Sequence, residues 1–275
     1  MSCTLFYKPG DLNDHRHFLS PLPEVSGGIA TPERSKAERD VPRASSGHCT
    51  AYTVLGSGSG TETQGESLLE INHLFVLNTV PNVAELREQV RFYFGWDPKK
   101  QRQHIFDVVA VLMTGKRIAF AIKPEFRLNS SNQEKQDFED EMRVVAWWAY
   151  QKDFVDDVRI LTEVDLNPIE LHNVKVLAAV READPEADVA AWQVLSSLPP
   201  EGGQPLRELT LQTGMGARGY RALLRLLRGG HASMVKHERI SPKTLIVPLP
   251  RDKLCSGEAQ TRHLIVEPQP ERAAA

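Results

Sequence analysis

The spacing of hydrophobic residues changes along the chain and predicts where helices and strands lie. After Ser67 the apolar positions follow helical spacing, so a helix begins there, with Glu70 in its first turn. Val90, Phe92 and Phe94 then alternate with their neighbours, and this period of two predicts a strand. The ordered part of the chain therefore opens with a helix and a strand.

Two apolar runs come next, joined by a short polar turn. Val108 to Met113 is rich in β-branched residues and almost wholly apolar, which is typical of a central strand buried on both faces. Thr114-Gly115-Lys116 turns the chain, and Arg117 to Lys123 forms the second strand. We expect the two runs to be adjacent, antiparallel strands at the centre of a sheet.

The pattern after this pair returns to helix and strand in turn. Ser131 to Glu134 fits a capping box that opens a helix, whose apolar stripe continues to Ala149. Val158 to Leu161 predicts another strand, and Asn167 to Val180 another helix. A helix, three strands, a helix and a strand in this order predict an α/β fold with helices packed on a mixed sheet.

Residues 186–254 have the pattern of a small, mainly helical domain. Three helices and a hairpin are predicted there, at residues 189–195, 205–212, 217–228 and 234–247. Three helices followed by a hairpin predict a winged helix-turn-helix.

Composition sets the limits of these domains. Residues 1–62 are rich in Ser, Gly, Pro and charged groups and are predicted to be a mostly disordered tail, as are residues 255–275. Residues 63–185 remain for the α/β domain. The three cysteines form no CxxC pair, and no apolar run is long enough to span a membrane. We therefore expect a cytoplasmic protein with no membrane partner.

Charge is distributed unevenly, although the net charge is only −3. Residues 125–188 carry 16 acidic and 7 basic side chains, whereas residues 204–253 carry 3 acidic and 10 basic ones. A basic C-terminal domain therefore follows a mildly acidic body.

Four arginines stand out in the basic domain because helical spacing places them on one face: Arg218, Arg221, Arg225 and Arg228. Such a row on the second helix of a helix-turn-helix suits contact with DNA. A solvated or protein-binding face is the alternative interpretation.

The central strand pair carries the candidate chemistry. Phosphodiester hydrolysis needs a divalent cation, and magnesium is usually held by one or two carboxylates and several waters. Asp107 begins the first strand and Lys123 ends the second, and we expect their side chains to share one face. Side chains two apart on a strand also share a face. An acid at position 121 would therefore stand on the same face as Lys123, but the residue there is alanine.

These residues resemble the motifs of the TnsA transposon endonucleases, which belong to the restriction-endonuclease-like PD-(D/E)xK superfamily. The resemblance covers about residues 65–250 and rests on four short motifs in the family's order: Ser67-Leu68-Leu69-Glu70, Glu88-Gln89, His104-Ile105-Phe106-Asp107 and Ala121-Ile122-Lys123-Pro124. Phe106 stands where the family has proline, and Ala121 where it has glutamate or glutamine. The resemblance implies a restriction-endonuclease-like core, a mixed sheet flanked by helices, followed by the winged helix-turn-helix domain.

It also implies an activity, partners and roles. TnsA-like proteins cut the 5′ ends of a transposon with Mg²⁺ or Mn²⁺, while a DDE-type transposase, TnsB, cuts and joins the 3′ ends. An AAA+ regulator, TnsC, coordinates them. Carried onto this chain, Glu70, Asp107 and Lys123 would be catalytic, and Asp107 would be the main metal ligand. Gln89 and His104 would support the site. His104 by itself suggests a ligand or a base, and a hydrogen-bonded structural histidine is the favoured alternative.

Ala121 leaves the second ligand position open. The backbone carbonyl of Ile122 can still coordinate a metal, and Glu125 would reach the site if the strand continued that far. Glu139 or Glu141 on the next helix are further sources of a carboxylate. The remaining interpretation is a nuclease fold that no longer cuts.

Three functions are compatible with these patterns. The first is a TnsA-like DNA endonuclease acting on transposon ends, and the second is an inactive assembly subunit of the same machinery. The third is a transcription regulator whose α/β domain only supports the winged helix.

Overall fold

The computed structural model describes residues 31–41, 49–80, 82–128, 133–199 and 202–249, with the side chains of the fourth range from residue 138 onward. The predicted tail at 255–275 lies outside these residues, as does the start of the predicted capping box at Ser131. None of the helices in these ranges is both long enough and apolar enough to cross a membrane.

A four-stranded mixed sheet forms the centre of the α/β unit. Its strands are β3 (Val83–Phe94), β4 (Arg102–Leu112), β5 (Arg117–Ile122) and β6 (Asp157–Leu161), in that spatial order. The first three are antiparallel, and β6 runs parallel to β5. β4 and β5 are therefore the adjacent, antiparallel central strands that the two apolar runs predicted.

Helices cover both faces of this sheet. α1 (Leu68–Leu77) packs Ile71, Leu74 and Leu77 against one face, and α2 (Gln133–Gln151) packs Met142, Val145 and Ala149 against the other. Each helix follows its predicted apolar stripe, because only that stripe can be removed from water against the sheet. The predicted α/β fold with helices on a mixed sheet is confirmed.

In the middle of the β3–β4 pair, the side chains of both strands switch from one face of the sheet to the other. In β3, Leu86 packs with the α1 side but Val90 packs with the α2 side, although residues four apart on a regular strand share a face. The change falls at Gln89, whose φ of 53° lies in the left-handed region that non-glycine residues rarely adopt. On β4, Phe106 and Val108 likewise lie on opposite sides. Gln89 and Asp107 thus occupy the irregular point of the pair.

Part of the predicted N-terminal tail is ordered. Strands β1 (Ala51–Leu55) and β2 (Thr61–Gly65) form an antiparallel hairpin, and Val41 is buried against it with its amide donating to the Gln64 side chain. The prediction that disorder extends to residue 62 is therefore wrong. Polar composition hid this hairpin, since half-buried strands of Thr, Gln and Gly resemble a linker.

The C-terminal unit follows α3 (Pro168–Ala178). It contains three helices and a small antiparallel sheet: α4 (Pro185–Ser196), β7 (Gln204–Pro205), α5 (Leu206–Thr213), α6 (Ala217–Arg228), β8 (Ala232–Met234) and β9 (Leu245–Pro248). The sheet order is β7-β9-β8. Leucines and alanines of the helices form one core with Ile246 of β9. The three helices and the hairpin lie where the sequence predicted them.

Candidate active site

Glu70 is held in the first turn of α1 by its own helix cap. The Ser67 hydroxyl accepts from the Glu70 amide at 3.1 Å and donates to Glu70 Oε1 at 2.8 Å. The Glu66 amide donates to Glu70 Oε2 at 2.9 Å. These bonds fix a carboxylate that is only 6% exposed, and the Ser-x-x-Glu spacing encodes the two that involve Ser67.

Gln89 links Glu70 to the N-terminal segment. Its Nε2 donates to Glu70 Oε2 at 3.2 Å, and its Oε1 accepts from the Arg39 guanidinium at 2.6 Å. The same guanidinium forms an ion pair with Glu66. The left-handed backbone at Gln89 aims this fully buried amide at α1, and strain of this kind typically accompanies functional sites.

Asp107 lies one residue beyond the last ladder pair between β4 and β5, which joins Val108 to Phe120. Its Oδ2 accepts the Ile122 amide at 2.6 Å, so the carboxylate does what a backbone carbonyl would do in a continued ladder. Both polar groups of one strand residue point to the same edge. The Ile122 carbonyl therefore points toward the same gap as Asp107.

Lys123 lies near this carboxylate, and His104 lies near Lys123. The Lys123 charge is close enough to lower the pKa of Asp107, and Lys123 Nζ lies 6.0 Å from the centroid of the Phe138 ring. His104 packs edge-on against Phe106, and its buried Nε2 has no hydrogen-bond partner among the described residues. Burial, with help from Lys123, lowers the pKa of His104 to about 4, so the ring is neutral at pH 7.

The two carboxyl groups affect each other's ionisation. Burial and the charge of Asp107 raise the pKa of Glu70 to about 7. Burial also raises the pKa of Asp107, and Lys123 and the Ile122 amide partly oppose this. Two buried carboxylates in one place favour a bound proton or cation between them.

The other positions proposed for a metal ligand lie away from these carboxylates or lack an oxygen. Ala121 is 1% exposed and packs with the α2 side of the sheet. β5 ends at Ile122, and Glu125 begins a short 3-10 helix, with its amide on Glu163. The idea that Glu125 reaches the site along a continued strand is therefore wrong. Pro124 stops the ladder because it has no backbone donor.

Glu139 and Glu141 each form an ion pair with an arginine. Glu139 pairs with Arg143 at 3.4 Å on the same helix, and Glu141 pairs with Arg102 at 3.1 Å on β4. Both pairs are exposed at the surface. Neither glutamate is placed as a substitute for the ligand that Ala121 lacks.

The four arginines of α6 each bind another part of the chain. Arg218 binds Asp184 and Glu186, Arg221 and Arg228 donate to the carbonyls of Ala179 and Leu177, and Arg225 binds Asp188. In the last pair the side chains are 11% and 8% exposed. Arg218 and Arg221 nevertheless remain exposed, whereas Arg225 and Arg228 are partly covered, so DNA binding by this row stays a prediction. The sequence could not show these contacts, since helical spacing does not tell which face is covered.

Sequence reasoning missed the part of the site that lies before residue 67. Arg39 and Glu66 contact Gln89 and Glu70, and Ser35 donates to the buried carboxylate of Glu88. Glu66 directly precedes the capping serine, and that position was a usable indication. Nothing in the local pattern marks Arg39, because its contacts span more than 25 residues.

Comparison with known proteins does not assign this chain to a family. It matches no protein-family model and no curated protein. In the described part of the chain, His, Cys, Asp and Glu side chains form no group of three or more suited to a metal ion. The site has two carboxylates, Glu70 and Asp107, with the Ile122 carbonyl beside them. That set matches the one or two carboxylates by which magnesium is usually held, with waters completing its shell.

Proposed function

We propose that the protein is a TnsA-like DNA endonuclease subunit of a transposase, which cleaves the 5′ ends of a transposon by metal-dependent phosphodiester hydrolysis. The observation that carries the proposal is the position of Asp107. This partly buried acid lies at the end of the β4–β5 ladder, binds the Ile122 amide and lies close to both Glu70 and Lys123. An acid, a carbonyl and a lysine at the end of two central strands suit hydrolysis of a phosphodiester.

Asp107, with Glu70 and the Ile122 carbonyl, would hold a magnesium or manganese ion. When bound, the ion supplies charge neutralisation at the phosphate and lowers the pKa of the attacking water. The raised pKa values of both carboxyl groups support this assignment, because a cation between them relieves their repulsion.

The side chains around the ion have separate tasks in this proposal. Lys123 holds its ammonium beside Asp107, where it donates to a phosphate oxygen and offsets the negative charge of the transition state. Gln89 and the Ser67 cap orient Glu70, so its carboxylate does not reorganise during the reaction. His104 is neutral at pH 7 and gives Lys123 an uncharged neighbour.

The finer fold and the partners belong to the same proposal. The mixed sheet would be a restriction-endonuclease-like core, and the C-terminal unit a winged helix-turn-helix. The order β7-β9-β8 and the three helices support the second assignment. DNA at transposon ends, a TnsB-like DDE transposase and a TnsC-like AAA+ regulator would be the partners.

An inactive assembly subunit is the second candidate, and two observations favour it. Ala121 supplies no oxygen, and Arg39 already places a positive charge among the acidic groups of the site. A transcription regulator is less well supported, since the arginines that would read DNA bind other parts of the chain.

The test is cleavage of transposon-end DNA with the partner proteins present, across a titration of magnesium and manganese. We expect the wild type to nick the 5′ ends and Asp107→Asn to lose nicking by at least about a hundredfold, since the main ligand charge is gone. Equal inactivity of both proteins at every metal concentration would select the assembly subunit instead. Nicking by Asp107→Asn at the wild-type rate would remove Asp107 from the chemistry.

A further inference from the structure

Three tryptophans form a cluster on the surface where β3 leads into β4. Trp96 is 83% exposed and Trp147 is 47% exposed, while Trp148 is partly buried between them and the sheet. The ring centroid of Trp148 lies 4.7 Å from that of Trp96 and 5.0 Å from that of Trp147. Large exposed aromatic surfaces are costly in water and commonly mark a binding site.

Basic side chains surround this tryptophan cluster. Lys152 Nζ lies 5.9 Å from the Trp148 ring centroid, and Arg102 lies over Phe94 at 5.2 Å. Lys99 and Lys100 are exposed in the turn that follows Trp96. Glu141 pairs with Arg102, and the Asp97 carboxylate in the same turn offsets one of the three lysines, so the rim keeps a net positive charge.

Exposed aromatic rings beside ammonium groups suit one kind of ligand especially well. Unpaired bases stack on aromatic side chains, while the phosphates beside them bind lysine and arginine. Every base has a flat π face, so such a surface accepts single-stranded DNA with little sequence preference. A hydrophobic protein partner would use the rings but would gain nothing from the lysines.

The cluster also lies within reach of the candidate active site along one strand. β4 begins at Arg102 and reaches Asp107 five residues later, which is roughly 17 Å of extended chain. Nucleotides in a duplex strand are spaced by about 3.4 Å, and an unpaired strand is more extended, so this length corresponds to at most about five nucleotides. A strand with its scissile phosphate at Asp107 would bring unpaired bases to Trp96.

We propose that Trp96, Trp147 and the neighbouring lysines bind a short unpaired segment of the DNA strand, within about five nucleotides of the cleaved bond. This inference rests on the proposed nuclease function and deepens it by naming the form of the substrate. The protein would act on DNA that is locally melted beside the transposon end.

The experiment measures binding of a labelled ten-nucleotide oligothymidylate to the full chain by fluorescence anisotropy, without divalent metal. Trp96→Ala and Trp147→Ala should each weaken binding by about tenfold or more, because each removes one stacking platform. Trp96→Phe should keep most of the affinity. Tyr52→Ala is the matched control, since Tyr52 is an aromatic residue 62% exposed on the separate β1–β2 hairpin. Circular dichroism and thermal unfolding verify that each variant is folded.

The outcomes separate this inference from the nuclease proposal. If the wild type does not bind the oligonucleotide, or folded Trp96→Ala binds it within twofold of the wild type, the inference is overturned. It is also overturned if Trp96→Ala leaves DNA binding intact but dissociates a dimer in sedimentation, which would make the cluster a protein interface. Asp107→Asn should bind the oligonucleotide normally. If that variant binds normally and still cuts, the nuclease assignment fails while the binding surface stands.

Discussion

Asp107 accepts a hydrogen bond from the backbone amide of Ile122, with 2.6 Å between Oδ2 and N. The carboxylate therefore has a structural task as well as its proposed chemical one, because the amide would otherwise be buried without an acceptor. The two tasks need different properties: the hydrogen bond needs an oxygen, and metal binding needs the negative charge.

Asparagine and alanine at position 107 should therefore have different effects on stability. Asp107→Asn keeps an oxygen for the Ile122 amide, whereas Asp107→Ala leaves that amide unsatisfied and should cost about 1–3 kcal/mol in the free energy of unfolding. Urea denaturation of both variants measures the difference. Equal loss of stability in the two would mean that the oxygen of the side chain is not what matters there.

Glu70 should make stability depend on pH in a defined window. Its pKa is raised to about 7 in the folded protein from 4.5, so the unfolded chain loses this proton first as pH rises. The wild type should lose stability relative to Glu70→Gln from about pH 4.5 to pH 7, by up to about 3 kcal/mol, and the difference should level off above that. The quantity to measure is the difference between the two unfolding free energies at each pH.

The difference between the two unfolding free energies is the quantity to use, because titration of His104 changes stability with pH in the opposite direction to Glu70. Its folded pKa of about 4 lies below the usual 6.5, so its contribution to stability is lost on acidification through that range. Both proteins contain His104, and subtraction removes its effect. A difference curve that is flat from pH 4.5 to 7 would contradict the raised pKa of Glu70.

Ala121→Glu tests whether the missing ligand can be restored. The new carboxylate would stand one step beyond the Val108–Phe120 pair, opposite Asp107, but in a position now only 1% exposed. Without metal it should destabilise the protein by about 2–4 kcal/mol, since a charge is buried beside another acid. With magnesium it should regain stability and nick DNA at lower metal concentrations than the wild type.

Ala121→Leu is the control, because it adds comparable bulk without an oxygen. It should be destabilised in the same way and gain nothing from magnesium. If magnesium leaves the melting temperature of Ala121→Glu unchanged, the α2 side of the sheet at this position is closed to the ion.

The arginines of α6 should contribute to stability according to their burial. Arg225→Ala leaves Asp188 buried without its partner, which should cost about 3–5 kcal/mol. Arg218→Ala breaks two ion pairs whose arginine is 52% exposed, and this should cost much less because water screens exposed charges. Thermal unfolding of the two variants gives the comparison. Similar small losses for both would mean that the Arg225–Asp188 pair is not formed in solution.

Periodicity predicted the elements of this fold well because buried stripes and buried strands leave a direct trace in the sequence. The order from α1 to β6, the central position of β4 and β5, and the three C-terminal helices were all readable in this way. Ser67 and Glu70 were readable too, since their contacts lie within one helical turn.

What could not be predicted depends on contacts between distant parts of the chain. The exchange of faces at Gln89 needs a strained backbone that no residue type announces, and Arg39 reaches the site across 50 residues. The arginine row of α6 followed the expected spacing, but its partners come from α3, α4 and the loops beside them. A helix face can be read from sequence, whereas the surface that covers it cannot.

Arg228 also donates to the carbonyl of Gly56 in the turn of the β1–β2 hairpin, and Arg181 donates to Ser59 in the same turn. The last helix is thus tied to a part of the chain 172 residues earlier. The C-terminal unit therefore cannot be exchanged without affecting the β1–β2 hairpin. A replacement taken from a related protein would have to bring a donor that fits this turn, or the hairpin would lose an anchor along with the exchange.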